Sequence, residues 1–374
     1  MQLKYKFSFV CASLLFTSSI QAEDYVRVNF MSYSENDNRV NVIAPAIEVN
    51  KDFGVDYTLK ASVIKDAVSG ATPIYSDTTS GASAYKRGTV ADVSKIKKEN
   101  VDFTESRALY AISLTSRLKN RDEITTSYTN SYESDYDANT LSVDYLHWAN
   151  KSKNRSYNVG ISYSDNKVLI KNDPDSTSGA SKKETSTTIA TQVGISQILN
   201  KTSLAKADVF YSKEDGYLNN PYYNVVRNIN EVHAENRPNI RTAYGFNLKY
   251  IRSFQKDFTS KFKYKFYLDD WGINSHTIDT NNYYTLNSKV VLGFGMRIYT
   301  QSEADFYNSD IKYFTNEKYA SHDDRLSNFT ALTYNASLKY KYSKKVSYDF
   351  AYSFYDQSTN LKANTFSMGI KYKF

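Results

Sequence analysis

Along the second half of this chain, basic residues recur at every second position, opposite a run of apolar ones. Lys249, Lys261, Lys263, Lys265, Arg297, Lys339, Lys341, Lys371 and Lys373 alternate with Leu248, Phe262, Tyr264, Phe266, Ile298, Leu338, Tyr340 and Tyr372. A period of two is the strand period, so the two sets occupy opposite faces. If the apolar face meets lipid, the basic face lines an aqueous interior, where a ring of cationic side chains would favour anions. Alternatively, these groups solvate a wet lumen, pair with interior acids such as Asp208 or Asp349, and select little.

Carboxylates gather between the alternating segments instead. Asp269-Asp270-Trp271 marks one connection; Glu303, Asp305, Asp310, Glu317, Asp323 and Asp324 fall in another, and Glu231 and Glu235 in a third. Such loop carboxylates either bind divalent cations, which would also bridge lipopolysaccharide, or are simply solvated. His233, His276 and His322 lie in or beside these connections, each with an acid nearby. They would suit a transition metal only if they converged, which their spacing does not require. No nucleophile elbow, H-E-x-x-H or P-loop is present. The pair Ser275-His276 is tempting, but adjacent strand residues point to opposite faces. The chain therefore reads as having no catalytic residue, no resident cofactor and no dedicated metal site.

These groups need strands to position them. Alternating segments recur from Asp24 to Phe374, about sixteen in all, with fourteen to eighteen compatible with the pattern. After every second segment comes a tight polar turn, such as Asn50-Lys51-Asp52, Gln255-Lys256-Asp257 or Ser343-Lys344-Lys345. The intervening connections are often long, at 68–102, 168–183, 214–239 and 303–326. Short periplasmic turns against long extracellular loops is the asymmetry of a transmembrane antiparallel β-barrel, and an even strand number returns both termini to the periplasm. Closure is obligatory in lipid, where each unpaired backbone group costs several kcal/mol.

The two ends of the chain fit that compartment. Lys4 and Lys6, the apolar run Phe7 to Phe16, and Ile20-Gln21-Ala22 read as a signal peptide over residues 1–22, leaving a barrel domain over 23–374. Removing it would also remove Cys11, the one cysteine, and with it thiol and disulfide chemistry. At the other end Phe366, Met368, Ile370, Tyr372 and Phe374 share one face of a last amphipathic strand. That strand is similar to the C-terminal signal by which outer-membrane barrels are recognised for insertion.

Composition excludes other classes. Mean hydropathy is −0.57 and no apolar stretch approaches the length of a spanning helix. A barrel escapes that test because every second residue faces the lumen, and 34 Tyr with 20 Phe suit its interfacial girdles. The formal net charge of +7 is dispersed rather than blocked, which argues against nucleic-acid binding.

Seven strings run in order along the chain: Ser69 to Pro73, Ser80 to Ser83, Gly216 to Tyr222, Glu235 to Pro238 with Arg241, Asp270 to Thr277, Arg297 to Tyr307 and Asp323 to Ser327. Together they resemble an uncharacterised family of Gram-negative outer-membrane proteins, domain of unknown function 3570. The resemblance implies a barrel in the outer membrane and carries over no substrate or catalytic residue. By position these strings sit at strand ends and loops, where solute contact occurs. Tyr217, Arg237, Arg241, Asp270, Trp271, His276, Gln301 and Asp305 are accordingly expected to form a packed polar plug or constriction at the mouth, either a ligand site or a loop-locking network.

The leading expectation is a porin-like channel or substrate-specific transporter for a small polar solute in the outer membrane of a Gram-negative bacterium. Its partners would be outer-membrane lipid, lipopolysaccharide and the barrel-assembly machinery, without nucleic acid. An export or assembly barrel partnering periplasmic or surface components, such as polysaccharide, or less readily a barrel enzyme, are the alternatives.

Overall fold

A computed structural model describes residues 23–77, 88–89, 96–170, 181–221, 223–228, 231–309 and 314–374. The expected leader, Ser80 to Ser83, Tyr222 and Asp310 lie outside the described residues. In chain order the strands are β1 (Tyr25–Glu35), β2 (Val40–Phe53), β3 (Tyr57–Asp77), β4 (Gly88–Thr89), β5 (Ile96–Arg117), β6 (Glu123–Tyr132), β7 (Tyr136–Trp148), β8 (Arg155–Ile170), β9 (Lys182–Asn200) and β10 (Ser203–Gly216). They continue with β11 (Asn224–Arg227), β12 (Glu231–Ala234), β13 (Ile240–Gln255), β14 (Phe258–Asp269), β15 (Asn274–Thr285), β16 (Val290–Gln301), β17 (Phe329–Lys341), β18 (Val346–Gln357) and β19 (Lys362–Lys373).

Sixteen of these close one antiparallel barrel, and β4, β11 and β12 form a separate small sheet in the loops. The barrel shuts where β1 meets β19, with Tyr25 opposite Lys373 and Glu35 opposite Ala363. Closure gives each of the sixteen strands a neighbour on both sides, so the wall has no free edge strand. No helix is long and apolar enough to cross a membrane, a test that does not bear on crossing by strands. One expectation is corrected: residues 68–77 and 96–102 are not loop, because β3 and β5 stay paired out to Asp77 opposite Ile96.

The alternation sorts cleanly into an outer and an inner face. Val209 and Phe294 are each 60% exposed on the outer wall, and Phe366, Met368, Ile370, Tyr372 and Phe374 are all exposed there along β19. The residues between them point inward and are mostly polar. Arg27 Nη2 donates to Asp349 Oδ2 at 2.6 Å across the lumen face, and Gln192 Nε2 donates to Asp208 Oδ1 at 3.2 Å. Apolar out and polar in is the reverse of a water-soluble protein. It removes the outer surface from water only if lipid covers it.

Candidate functional site

The cationic wall follows from register. On β10, β13 and β14 the inward positions bring Lys206 opposite Lys249, and Lys249 opposite Lys263. Lys263 in turn faces Asp279 on β15, and Asp279 faces Arg297 on β16. Arg297 takes that carboxylate, its Nε 2.7 Å from Asp279 Oδ1. Lys206 Nζ lies 3.0 Å from Asp208 Oδ1. Lys265 sits 5.0 Å from the centre of the Phe210 ring, and Lys261 4.7 Å from that of Tyr283. Lys249 and Lys263 form no ion pair with any described acid.

The remaining expected lumen residues lie on other parts of the wall. Lys339 faces Asp349 across the β17–β18 ladder and Lys341 faces Ser347. Lys371 is 3.0 Å from Glu23 Oε2 and 3.8 Å from the Tyr25 ring centre, and Lys373 also pairs with Glu23. Lys371 and Lys373 thus share Glu23 at this rim, while the Asp349 carboxylate opposite Lys339 is held by Arg27.

At the opposite rim the described residues of three connections pack together as a loop plug: those of 217–239, which carry β11 and β12, those of 302–328, and the β14–β15 turn. Backbone hydrogen bonds join them, with Asn236 N donating to Ala320 O at 3.0 Å, Phe314 N to Val226 O at 3.1 Å, and Asp305 N to Trp271 O at 2.9 Å. Two apolar clusters fill the plug: Val225, Phe314 and Ala320; and Trp271, Ile273, Ala304, Phe306 and Leu326.

Its electrostatic centre is a buried double ion pair. Arg237 Nε is 2.7 Å from Glu235 Oε1, and Arg237 Nη2 donates to Asp323 Oδ2 at 2.7 Å. Arg325 Nε donates to Asp323 Oδ1 at 2.8 Å, while Ser321 Oγ and the Asn220 amide supply Glu235. Burial opposes ionisation of Asp323, but the Arg325 and Arg237 guanidiniums outweigh it and hold this carboxyl well below its ordinary range. Burial pushes the Glu235 carboxyl up despite Arg237 beside it.

A second cluster hangs on Asp269 at the end of β14. Asp269 Oδ2 accepts from Arg241 Nη2 at 2.5 Å and from Tyr267 Oη at 2.7 Å; Asp269 Oδ1 accepts from the Trp271 and Ile273 amides at 3.0 Å each. The Arg241 guanidinium lies 4.5 Å from the Trp271 ring centre, and Phe306 meets that indole edge-on at 5.1 Å. Gly272 makes this turn possible: its φ is +83°, and an added Cβ would fall 2.2 Å from Asp305 Oδ1. Gln301 Nε2 bridges the carbonyls of Arg325 and Ser327 at 2.9 and 2.7 Å. Above these lies a cleft of about 480 Å³ lined by Pro238, Asp270, Trp271, Asp305, Phe306 and Tyr319 among others.

Of the residues expected at the mouth, Arg237, Arg241, Trp271, Gln301 and Asp305 therefore join the plug. Asp270 lines the cleft, its Oδ1 accepting from the Thr242 amide at 2.9 Å, and the Tyr217 amide donates to Thr185 O at 2.9 Å. His276 is a correction. It shares the outer face with Ile278 and stacks against Tyr264 and Phe266, with Nδ1 2.8 Å from Tyr264 Oη. The histidines and loop acids are not drawn into a common site: no group of three or more His, Cys, Asp or Glu suited to a metal occurs among the described residues. Lys206 carries no sequence expectation, while Asp269, Glu235 and Asp323 enter these clusters from the expected loop carboxylates and Arg325 from the Asp323 to Ser327 string.

Wall, closure and loop plug together define the fold of outer-membrane β-barrels. Within that class, residues 12–370 match the model of a family described as "Protein of unknown function (DUF3570)", and the chain belongs to that family. No curated protein matches it. Among solved structures it is similar to a bacterial polysaccharide outer membrane secretin, at 6% identity and TM-score 0.52, covering 95% of this chain and 100% of that one. It is also similar to the ferric enterobactin receptor of Pseudomonas aeruginosa (10% identity, TM-score 0.47, 91% of this chain and 54% of that one). A third is the CymD monoaromatic hydrocarbon channel (10%, TM-score 0.41, 95% and 88%). The chain thus spans about half the length of that receptor.

Proposed function

We propose that this chain is an outer-membrane channel for a small polar solute carrying negative charge, with the loop plug at its extracellular mouth. The observation that supports this most is the inward wall of β10, β13 and β14, where Lys206, Lys249 and Lys263 line up and the last two form no ion pair with a described acid, the Asp279 opposite Lys263 being held by Arg297. An interior of polar and charged side chains behind an apolar outer wall suits a water-filled passage. In this reading residues 1–22 direct export, the exposed face of β19 from Phe366 to Phe374 meets the assembly machinery, and the outer wall meets lipid and lipopolysaccharide. No step of passage requires a catalytic group or cofactor.

The test is planar-bilayer recording of refolded protein under a KCl gradient. The expected reversal potential favours anions, and Lys263→Glu, Lys265→Glu, Lys339→Glu and Lys341→Glu together should invert it. Absence of conductance at any voltage, in the wild type and in a variant with the plug loosened, would overturn the channel reading in favour of export or assembly. Conductance with unchanged selectivity in the quadruple variant would remove the lysines from it.

A further inference from the structure

We propose that Lys206, Lys249 and Lys263 form a luminal binding site for a compact multivalent oxyanion of the phosphate or carboxylate type, one that bridges neighbouring strands. This rests on the channel reading and names the class of solute the wall would hold.

Like charges directly opposite one another on neighbouring strands destabilise a sheet. Here two such pairs are adjacent, Lys206 with Lys249 and Lys249 with Lys263. Lys261 and Lys265 add cations two positions either side of Lys263 on the same face. Lys249 lies within electrostatic reach of Lys263, Lys261 and Lys206, with Asp208 the one acid among its main influences. The acids that could compensate are otherwise engaged. Asp208 holds Lys206, and Asp279 is bound by Arg297 through both oxygens, at 2.7 and 3.4 Å. Asp144, from β7, lies within electrostatic reach of Lys206. Six cations (Lys206, Lys249, Lys261, Lys263, Lys265 and Arg297) thus meet three carboxylates, and the surplus falls on Lys249 and Lys263.

Geometry decides the valence of the missing anion. Opposed side chains on paired strands are about 5 Å apart at Cβ, so the three ammoniums span roughly 10 Å. A single chloride touches one or two of them. An oligophosphate or polycarboxylate presents several oxygens over that span and engages all three, each added lysine strengthening binding roughly fivefold in water-like surroundings. Ammonium groups suit this role because each is a mobile point charge with three donors.

The experiment adds inorganic tripolyphosphate to single channels of the full barrel and compares orthophosphate at equal ionic strength. Concentration-dependent block by tripolyphosphate is expected at concentrations at least about tenfold below those at which orthophosphate acts. In the Lys249→Gln, Lys263→Gln double variant the blocking concentration should rise by about tenfold or more, with folding checked by heat-modifiable gel mobility. An anion-selective channel that tripolyphosphate does not block, or blocks equally in the double variant, overturns the site and leaves the channel reading intact. If the protein does not conduct, calorimetric titration of the folded barrel with tripolyphosphate decides the site alone. Binding lost in the double variant supports it; equal or absent wild-type binding overturns it.

Discussion

Replacing Arg237 by Met should unlatch the plug while sparing the barrel. Arg237 stands between Glu235 and Asp323, whose side chains are 0% and 1% exposed. Removing one partner of a buried ion pair costs about 3–5 kcal/mol, because it strands a buried charge. Asp323 keeps Arg325, so the stranded charge is Glu235 and the lower end of the range applies. About 3 kcal/mol corresponds to a rise of roughly a hundredfold in the open population of the plug. Hydrogen exchange by mass spectrometry in detergent reads this directly. Amides of Val225, Val226, Ala320 and Leu326 should exchange about a hundredfold faster, while β13 to β16 remain unchanged. Adding Glu235→Gln to Arg237→Met neutralises the stranded group and should recover most of the protection, since the carboxamide oxygen can still accept from the Asn220 amide while its NH2 can donate to Ser321 Oγ. Plug exchange that rises less than about threefold, or barrel strands that rise in parallel, would refute the latch.

Two further outcomes follow from the same loops. Gly272→Ala combines a φ of +83° with a contact of 2.2 Å to Asp305, and should loosen the Trp271–Phe306 packing by about 1–3 kcal/mol. In a Trp148→Phe background, the emission of Trp271 should shift red and become open to acrylamide; an unchanged spectrum contradicts the packing. Lowering the pH from neutral to mildly acid should not open the plug. The depressed Asp323 contributes stability above its unfolded value that is lost only as pH falls through the depressed one. The raised Glu235 acts in the opposite sense, its contribution being full below its unfolded value, so protonating it removes a buried charge. Plug exchange that accelerates between neutral pH and the ordinary carboxylate range would show the latch to be weaker than its geometry.

The strands were legible because their signal is local. Alternation at Val290-Leu292-Phe294 or Phe350-Tyr352-Phe354 is the whole cause of which face meets lipid. Part of the cationic wall was legible as well: alternation puts Lys249 and Lys263 on the inner face of neighbouring strands, but a register shift between Ser253 and Gln255 decides that they stand directly opposite. Lys206 was not, because residues 217–239 intervene and no local rule gives the β10–β13 register. The latch is similarly non-local, with Arg237 and Asp323 separated by 86 residues. His276 went astray for a different reason. Its proximity to a loop string outweighed its parity with Ile278, yet parity alone would have placed it on the outer wall.

Plug and wall also differ in how their charges are resolved, and that difference separates structure from function. In the plug, Glu235 and Asp323 face Arg237 and Arg325 inside a buried cluster, and each carboxylate is held by several donors. Such a network locks loops and leaves no charge for a ligand. Both systems are built on the same two strands: Arg241 and Asp269 stand at the plug ends of β13 and β14, Lys249 and Lys263 further down the same strands. Between them Lys265 lies against Phe210 and Tyr267. On the proposed path, a solute passing the plug along this side would reach next the lysines where the barrel's own residues leave positive charge unmatched. A wall meant only to stay wet would gain stability from Lys249→Glu, which would pair across the ladder with Lys206 and Lys263. A more stable but non-binding Lys249→Glu barrel is therefore the outcome expected if those lysines serve a solute rather than the fold.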